Sequence, residues 1–418
     1  MPITFRKDNQ YYKFCAYGFF KNLRFFDPFL LLFFLSKGLS FFEIGTLYAI
    51  REITINLFEI PTGILADSLG RRRSMISAFS FYIVSFIIFF FASDYWVFII
   101  AILFYAYGDA FRTGTHKAMI FEYLKINGWQ DQKVHYYGHT RSWSQMGSAV
   151  SAIIAAGIVF FTHDYRMVFL FSVIPYVVDL ALMTTYPKEL DGKRRQLHKG
   201  EILDNFKETI HDFVTSFRNI GILRAILNQA VYTGYYKAVK DYLQPVIQGF
   251  AVSLPILLWA NEEQRASIMV GLVFSVIYFL TSYASRHAGR FADRFRNLNR
   301  PLVISLSIGL MAGFLSGLFY NRGWYLGAVV CYTGIYLIEN LRKPIGISII
   351  ADRLEKDILA TALSAESQAE TLFAAIIAPV IGLVADLWGV GTALMVVSSG
   401  LFVLMPLYST GRSKTKQG

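Results

Sequence analysis

The sequence predicts an all-α polytopic membrane protein whose twelve transmembrane helices form two pseudo-symmetric six-helix bundles. Three observations predict it. Of 418 residues, 55% are hydrophobic and only 17% charged, with a mean hydropathy of +0.43, whereas soluble chains carry about a quarter charged residues. The apolar residues fall in long runs, such as 75–92, 302–319 and 390–408, each near the roughly 20 residues that a helix needs to cross a bilayer. Short motifs also recur, in order, about half a chain apart. A soluble core of this composition would need many helices apolar on every side.

Taken in order, the crossings are predicted at 12–36, 41–66, 73–92, 95–124, 140–162, 167–186, 220–249, 265–286, 301–319, 324–352, 362–387 and 390–409. Twelve crossings place both termini on one side. Counting residues near the end of a crossing with the side they face, 27 of the 40 lysines and arginines fall on that side and 9 lie deep inside crossings; only Lys37, Arg166, Arg265 and Arg322 fall opposite. By the positive-inside rule the termini are cytoplasmic and the chain is a multi-pass protein of the inner cell membrane. The net charge of +11 is therefore topology, and the expected partner is the lipid bilayer, not a nucleic acid. No cleavable signal peptide is expected, because the first apolar segment carries charges and lacks a small-residue cleavage site. Cys15 and Cys331 fall in separate crossings and give neither a disulfide framework nor a metal pattern.

The repeat begins with Gly18-Phe-Phe-Lys21-Asn-Leu-Arg24, which returns as Gly234-Tyr-Tyr-Lys237-Ala-Val-Lys240. Gly63-Ile-Leu-Ala-Asp67 returns as Gly289-Arg-Phe-Ala-Asp293, and Asp109-Ala-Phe-Arg112 as Glu339-Asn-Leu-Arg342. Ser144-Gln145 and Ala152-Ile-Ile-Ala155 return as Ser367-Gln368 and Ala375-Ile-Ile-Ala378. Matches in this order indicate two copies of a six-helix unit, 1–186 and 220–418. The linker 187–219 carries Ile202, Phe206, Ile210, Phe213 and Phe217 at helical spacing among charges, an amphipathic helix suited to the cytoplasmic interface.

Between the second and third crossings stands Gly63-Ile-Leu-Ala-Asp67-Ser68-Leu-Gly70-Arg71-Arg72-Arg73. Gly63 permits close helix approach, Gly70 suits a tight turn, Asp67 can cap or pair with the next helix start, and the arginines hold the loop in the cytoplasm. The run resembles the loop signature of the major facilitator superfamily, Gly-x-x-x-Asp-basic-x-Gly-basic-basic, and the twofold twelve-helix plan resembles that family over essentially the whole chain. Ser68 replaces the usual basic residue, and the second copy, Gly289 to Arg296, lacks the second glycine. The resemblance implies that Gly63, Asp67, Gly70, Arg71, Arg72, Gly289 and Asp293 govern conformational switching. Residues 147–157 contain no proline, so the fifth-helix Gly-Pro motif of drug antiporters is missing. Tyr105 also stands where the arginine of the family's fourth-helix motif is usual.

In that family the first and seventh helices line the central cavity, which implies that Lys21, Arg24, Lys237 and Lys240 bind substrate. Lys21 lies nine residues into its crossing, about 14 Å deep at 1.5 Å per residue. A spacing of three sets each cationic pair on one helix face, and Pro28 and Pro245 break each helix further along. Four cations suit a carboxylate, a phosphate or an anionic conjugate. The opposing reading is a set of structural ion pairs, since Asp27 follows Arg24 by three and Asp241 follows Lys237 by four. Charges in the first, second, fourth, sixth, seventh and tenth crossings sum to +2, a mild preference for anions. Asp27, Arg51, Glu52 and Asp241 are candidates for proton coupling or for constitutive pairing. Asp109–Arg112 and Glu339–Arg342 read as symmetric switch pairs. His116 reads as a hydrogen-bonded structural histidine.

No phosphate-binding loop, metal cluster or nucleophile–base arrangement occurs, so neither an enzyme nor a cofactor is expected. The sequence reads as a secondary active transporter working by alternating access, monomeric as its family usually is. Its predicted cargo is a small or amphiphilic organic anion, coupled to or exchanged for protons. A proton-coupled drug exporter and a non-transporting sensor or scaffold are the alternatives.

Overall fold

The computed structural model describes residues 6–192, 220–255, 258–292, 294–295, 299–352 and 356–408, and every regular element among them is helical. The first crossing is not one helix. Helix α1 (Asn9–Lys21) starts on Asp8, whose carboxylate accepts the Tyr11 amide at 2.9 Å, and stops at Asn22, whose side chain donates to the Gly18 carbonyl at 2.7 Å. The chain unwinds over 22–26, makes one 3-10 turn at Asp27–Phe29, and resumes as α2 (Leu30–Ser36). Pro28 explains the break, because it lacks a donor and disfavours helical geometry in the residue before it. The interruption therefore precedes the proline instead of following it.

After α3 (Phe41–Leu69), α4 (Arg71–Phe91) and α5 (Tyr95–Arg112), the fourth crossing pauses at Gly114 and continues as α6 (Thr115–Ile126). Helices α7 (Lys133–Thr162) and α8 (Met167–Thr184) complete the first six crossings. The seventh repeats the broken design as α9 (Ile220–Val239), a 3-10 turn at Lys240–Tyr242, and α10 (Leu243–Ser253) with Pro245 in its first turn. Then follow α11 (Glu262–Ala292), α12 (Asn299–Asn321), α13 (Tyr325–Asp352), α14 (Lys356–Trp388) and α15 (Val390–Tyr408).

Helix breaks within a membrane free carbonyls that must find other donors. Tyrosines supply them at both sites. The Tyr176 hydroxyl donates to the Lys21 carbonyl at 3.2 Å, Tyr336 donates to the Lys240 carbonyl at 2.7 Å, and Tyr332 donates to the Val239 carbonyl.

Eight of the twelve crossings are long and apolar enough to span a membrane by length and composition alone. The four that fall short are the first, second, seventh and tenth. Two are broken, and α3 and α13 carry charges such as Arg51, Glu52, Glu339 and Arg342. Large apolar side chains such as Phe161, Phe279 and Val403 are about three-quarters exposed, a cost in water but the ordinary lipid-facing surface of a spanning helix.

Internal contacts gather the chain into two compact units, one of residues 1–37, 53–206 and 257–278, the other of 38–52, 207–256 and 279–418. In the first, α4 packs along α5 and α8, and α1 packs along α7. In the second, α12 packs along α13 and α15, and α9 packs along α14. Both units thus pair the third crossing of their half with its fourth and sixth, and the first with its fifth. This is the tertiary form of the sequence repeat.

The repeat's leading glycines have a packing reason. A methyl on Gly18 would meet the Ser144 Oγ of α7 at 2.9 Å, and one on Gly234 would meet the Phe373 Cβ of α14 at 2.6 Å and the Glu370 carbonyl at 3.0 Å. The predicted amphipathic helix at 202–217 lies outside the described residues, as does Asp293; Gly289 ends its α11 stretch with open space around it.

Candidate functional site

The loop after α3 closes on a partner that the sequence does not suggest. Gly70 has φ +105°, a conformation that favours glycine, and the Arg72 amide donates to Asp191 Oδ1 at 2.8 Å. Asp191 thus caps α4, and of the two roles expected of Asp67, capping or pairing with the start of that helix, Asp67 takes the second. Asp67 instead meets Arg71 at 3.5 Å one turn along, and Arg71 also reaches Glu122 at 3.8 Å. Arg72 donates to the Tyr186 carbonyl at 3.2 Å and to the Thr184 carbonyl at 3.5 Å. The signature therefore clamps the start of α4 to the end of α8 through side chains.

The four repeated cations do not share one environment. The break after Lys21 puts Arg24 outside the helix, so the two do not lie on one helix face. Arg24 meets Asp27 at 3.4 Å. Lys237 lies in the last turn of α9 and Lys240 opens the 3-10 turn. Lys240 takes Asp241 at 3.0 Å, and Lys237 does not. Lys237 lies between Glu52 at 3.3 Å and Glu370 at 3.6 Å, with Arg51 on Glu52 at 3.1 Å. Of the four, Lys21 is the one whose ammonium has no carboxylate within 4 Å among the described residues.

The two expected switch pairs also diverge. Arg112 meets Asp109 at 2.7 Å and donates to the Tyr82 hydroxyl at 2.9 Å, while Tyr82 donates to the same carboxylate. Glu339 and Arg342 do not pair. Fully buried Arg342 donates to Asn228 Oδ1 at 2.8 Å, the Asn228 carbonyl at 2.9 Å, Ser305 Oγ at 3.0 Å and the Leu302 carbonyl, with its guanidinium 4.9 Å from the Tyr232 ring centre. Glu339 accepts from the Thr233 hydroxyl at 3.1 Å. A three-residue spacing permits an ion pair on one helix but cannot reveal that other helices offer better partners.

A cavity of about 370 Å³ opens in the first unit, lined by the end of α1, the junction of α5 and α6, and α7. Lys21, Arg112, His116, Lys117 and Arg141 bring basic groups to it; Asn22, Thr140, Ser144 and Gln145 bring hydroxyls and amides; no carboxylate lines it among the described residues. His116 stacks on Tyr17 with ring centres 3.5 Å apart and planes at 16°, and its Nε2 lies 3.2 Å from the Tyr186 hydroxyl. Lys117 stands over the rings of Phe121 and Tyr137. The volume falls within the range of small-molecule sites, and the fixed donors around it suit an anion.

A model of the Major Facilitator Superfamily matches residues 14–366. The chain belongs to the major facilitator superfamily. An uncharacterized MFS-type transporter of Bacillus subtilis (strain 168), YxaM, is 33% identical over 90 residues, 22% of this chain and 23% of that relative, so the match spans under a quarter of its length. Among solved structures, the nucleoside transporter NupG shares the fold at TM-score 0.76 and 13% identity, covering 96% of this chain and 98% of that one. A peptide transporter POT in complex with sulfate follows at TM-score 0.70 and 13% identity, covering 96% of each chain. A D-xylose-proton symporter aligns at TM-score 0.67 and 13% identity, covering 97% and 98%. Identities this low carry the fold alone. The family makes the protein a multi-pass membrane transporter and not an enzyme.

Several residues of these networks escape a reading by motif. Glu366 and Glu370 lie one turn apart on α14, both nearly fully buried. Counting charge on the eleventh crossing finds them, and their −2 cancels the +2 summed over the others. Tyr82, Asn228, Thr233 and Asp191 had no signal, since isolated polar residues become partners only through packing.

Proposed function

We propose that this protein is a secondary active transporter that moves a small organic anion by alternating access, with the basic cavity of the first unit as its anion site. One observation carries the reading. Five basic side chains line a cavity with no carboxylate among its described lining residues, and Lys21 brings a charge with no described carboxylate within 4 Å. Charge-assisted hydrogen bonds are the strongest recognition available to such groups, and Arg112 and Arg141 present planar forks that match carboxylates, phosphates and sulfonates. The peptide transporter structure that holds sulfate, and the proton symporter among the neighbours, are compatible with anionic ligands and proton coupling on this fold.

Within this proposal Arg24, Lys237 and Lys240 are structural cations, held by Asp27, by Glu52 and Glu370, and by Asp241. Asp109–Tyr82–Arg112 orients one donor of the site. The Gly63–Arg72 signature serves as the conformational loop, with the two repeats 1–186 and 220–418 as moving halves. Both termini face the cytoplasm, and the monomer is the working unit.

The carboxylates Glu52, Glu339, Glu366 and Glu370 favour a second reading, a proton-coupled exporter of organic cations. Thermal stabilisation separates the two, because a ligand that binds the folded state raises its apparent stability. Purified protein is titrated with benzenesulfonate, benzoate, uridine and tetraphenylphosphonium. Stabilisation by the two anions, lost in Lys21→Met, is the expected result. Stabilisation by tetraphenylphosphonium alone would overturn the anion reading in favour of export.

A further inference from the structure

Asp179 is the most costly residue in the first unit that the proposed anion site leaves unused. It lies in α8, 0% exposed, and neither carboxyl oxygen has a hydrogen-bond partner. A bare carboxylate so buried is expensive enough that such a group either holds a proton or finds a cation.

The helix packed beside it carries the cation Lys21. Tyr176 of α8 bonds the Lys21 carbonyl, and Tyr186, just beyond α8, bonds the Lys13 carbonyl at 3.3 Å, so α1 and α8 run in opposite directions side by side. Asp179, about one turn past Tyr176, therefore lies level with Gly18 on α1. Helical side chains lean toward their own helix N-terminus, which brings the Lys21 ammonium from its backbone toward that level. Asp179 does not line the cavity, whereas Lys21 does. One ammonium thus lies between a cavity for anions and a buried carboxyl.

We propose that Asp179 is the proton-coupling residue of this transporter, competing with the anionic substrate for Lys21. With the cavity occupied, the Lys21 ammonium faces the substrate anion and Asp179 is the neutral acid. When the substrate leaves, the Asp179 O–H bond breaks, its proton passes to cavity water, and the carboxylate pairs with Lys21. No electrons are transferred and no other bond changes. Each singly charged anion that binds takes up one proton, which makes transport an electroneutral symport. Other charged and titratable groups near this pair are Tyr17 and Cys15 of α1, Arg24 and Asp27 just past its end, Tyr82 of α4, Asp109 and Arg112 of α5, His116 of α6, Tyr136 of α7, and Tyr186 past the end of α8. Asp109 and Arg112 hold each other, and His116 is stacked on Tyr17, which leaves Lys21 to exchange partners.

This inference rests on the anion reading above, so its test reads anion affinity and proton occupancy separately. Benzenesulfonate and benzoate, both ionised throughout the neutral range, are titrated against wild-type protein and Asp179→Asn at several pH values. Wild-type affinity is expected to weaken as pH rises, approaching tenfold per pH unit where Asp179 competes. Asp179→Asn, which cannot compete, is expected to bind at least as tightly with no pH slope. Infrared spectra of both proteins in bilayers report the acid itself: the wild type should show a protonated-carboxyl band that Asp179→Asn removes and that Lys21→Gln preserves to higher pH. A wild-type affinity flat in pH, or an unchanged slope in Asp179→Asn, overturns the inference while leaving the anion site standing. If neither anion binds, the anion reading fails, and an infrared band unaffected by Asp179→Asn then removes the proton site as well.

Discussion

Lys21 and Lys237 occupy corresponding places in the repeat, yet their loss should have opposite consequences. In Lys237→Met, Glu52 and Glu370 lose an ammonium at 3.3 and 3.6 Å. At an effective dielectric constant near 20, each contact is about 5 kcal/mol of gross attraction. Desolvation offsets much of that, and removing one partner of a buried pair costs about 3–5 kcal/mol net. Arg51 remains on Glu52 at 3.1 Å, which favours the lower end, about 3 kcal/mol. For a unit of roughly 200 residues this is a fall in Tm of about 6–12 °C. Adding Glu370→Gln, which removes one stranded charge, should restore a large part of it. In Lys21→Met no described carboxylate loses a partner within 4 Å, and Asp179 can keep its proton, so its Tm should move by less than about 2 °C, within the range of unremarkable substitutions. Benzenesulfonate affinity should instead fall about 10- to 100-fold in Lys21→Met, the equivalent of one charge-assisted hydrogen bond of about 1.5–3 kcal/mol. Differential scanning fluorimetry and ligand titration on the same preparations measure both quantities. If Lys237→Met kept its Tm and lost the anion, while Lys21→Met kept the anion, the assignment of roles would be refuted.

Three further outcomes follow from the packing and the loops. Gly234→Ala should destabilise by about 1–3 kcal/mol, because its methyl meets α14 backbone at 3.0 Å and a Cβ at 2.6 Å with little room to yield; Gly18→Ala should cost less, since the Ser144 hydroxyl it meets can rotate away, and paired Tm measurements will rank them. Asp191→Ala should lower stability by about 1 kcal/mol by uncapping α4, with Asp191→Asn milder, and proteolysis near Gly70 should rise in the first variant. At the loop before α8, partial burial opposes ionisation of Asp164, but hydrogen bonds from the Arg166 side chain and amide hold its carboxyl below the usual value. Because the folded carboxyl ionises at lower pH than the unfolded one, this contribution is complete above about pH 4 and fades as pH falls through the folded value. The stability difference between wild type and Asp164→Asn should therefore shrink on acidification below about pH 4.

Much of the fold was legible because the solvent enforces it. A bilayer demands runs of about 20 apolar residues with satisfied backbones, so the crossings announce themselves in one dimension. The first, second, seventh and tenth stand out for the complementary reason, that charge or proline interrupts them. The repeat was legible because duplicated packing needs duplicated residues: Gly18 and Gly234 recur where α1 meets α7 and α9 meets α14.

The sites were legible only in part. Sequence spacing found Arg24 with Asp27 and Asp109 with Arg112, which are neighbours along the chain. It missed Asp191 on Arg72, Glu370 on Lys237 and Asn228 on Arg342, which are separated by more than a hundred residues.

The sequence by itself determined that this chain crosses a membrane twelve times in two copies, and which ionisable residues lie inside. Only the tertiary structure decided which of those charges are neutralised. A helix displays its cations by its own period, but whether an acid lies within 4 Å is decided by the helix packed against it. Thus Lys237 belongs to its glutamates and Lys21 remains open to a cavity and to Asp179.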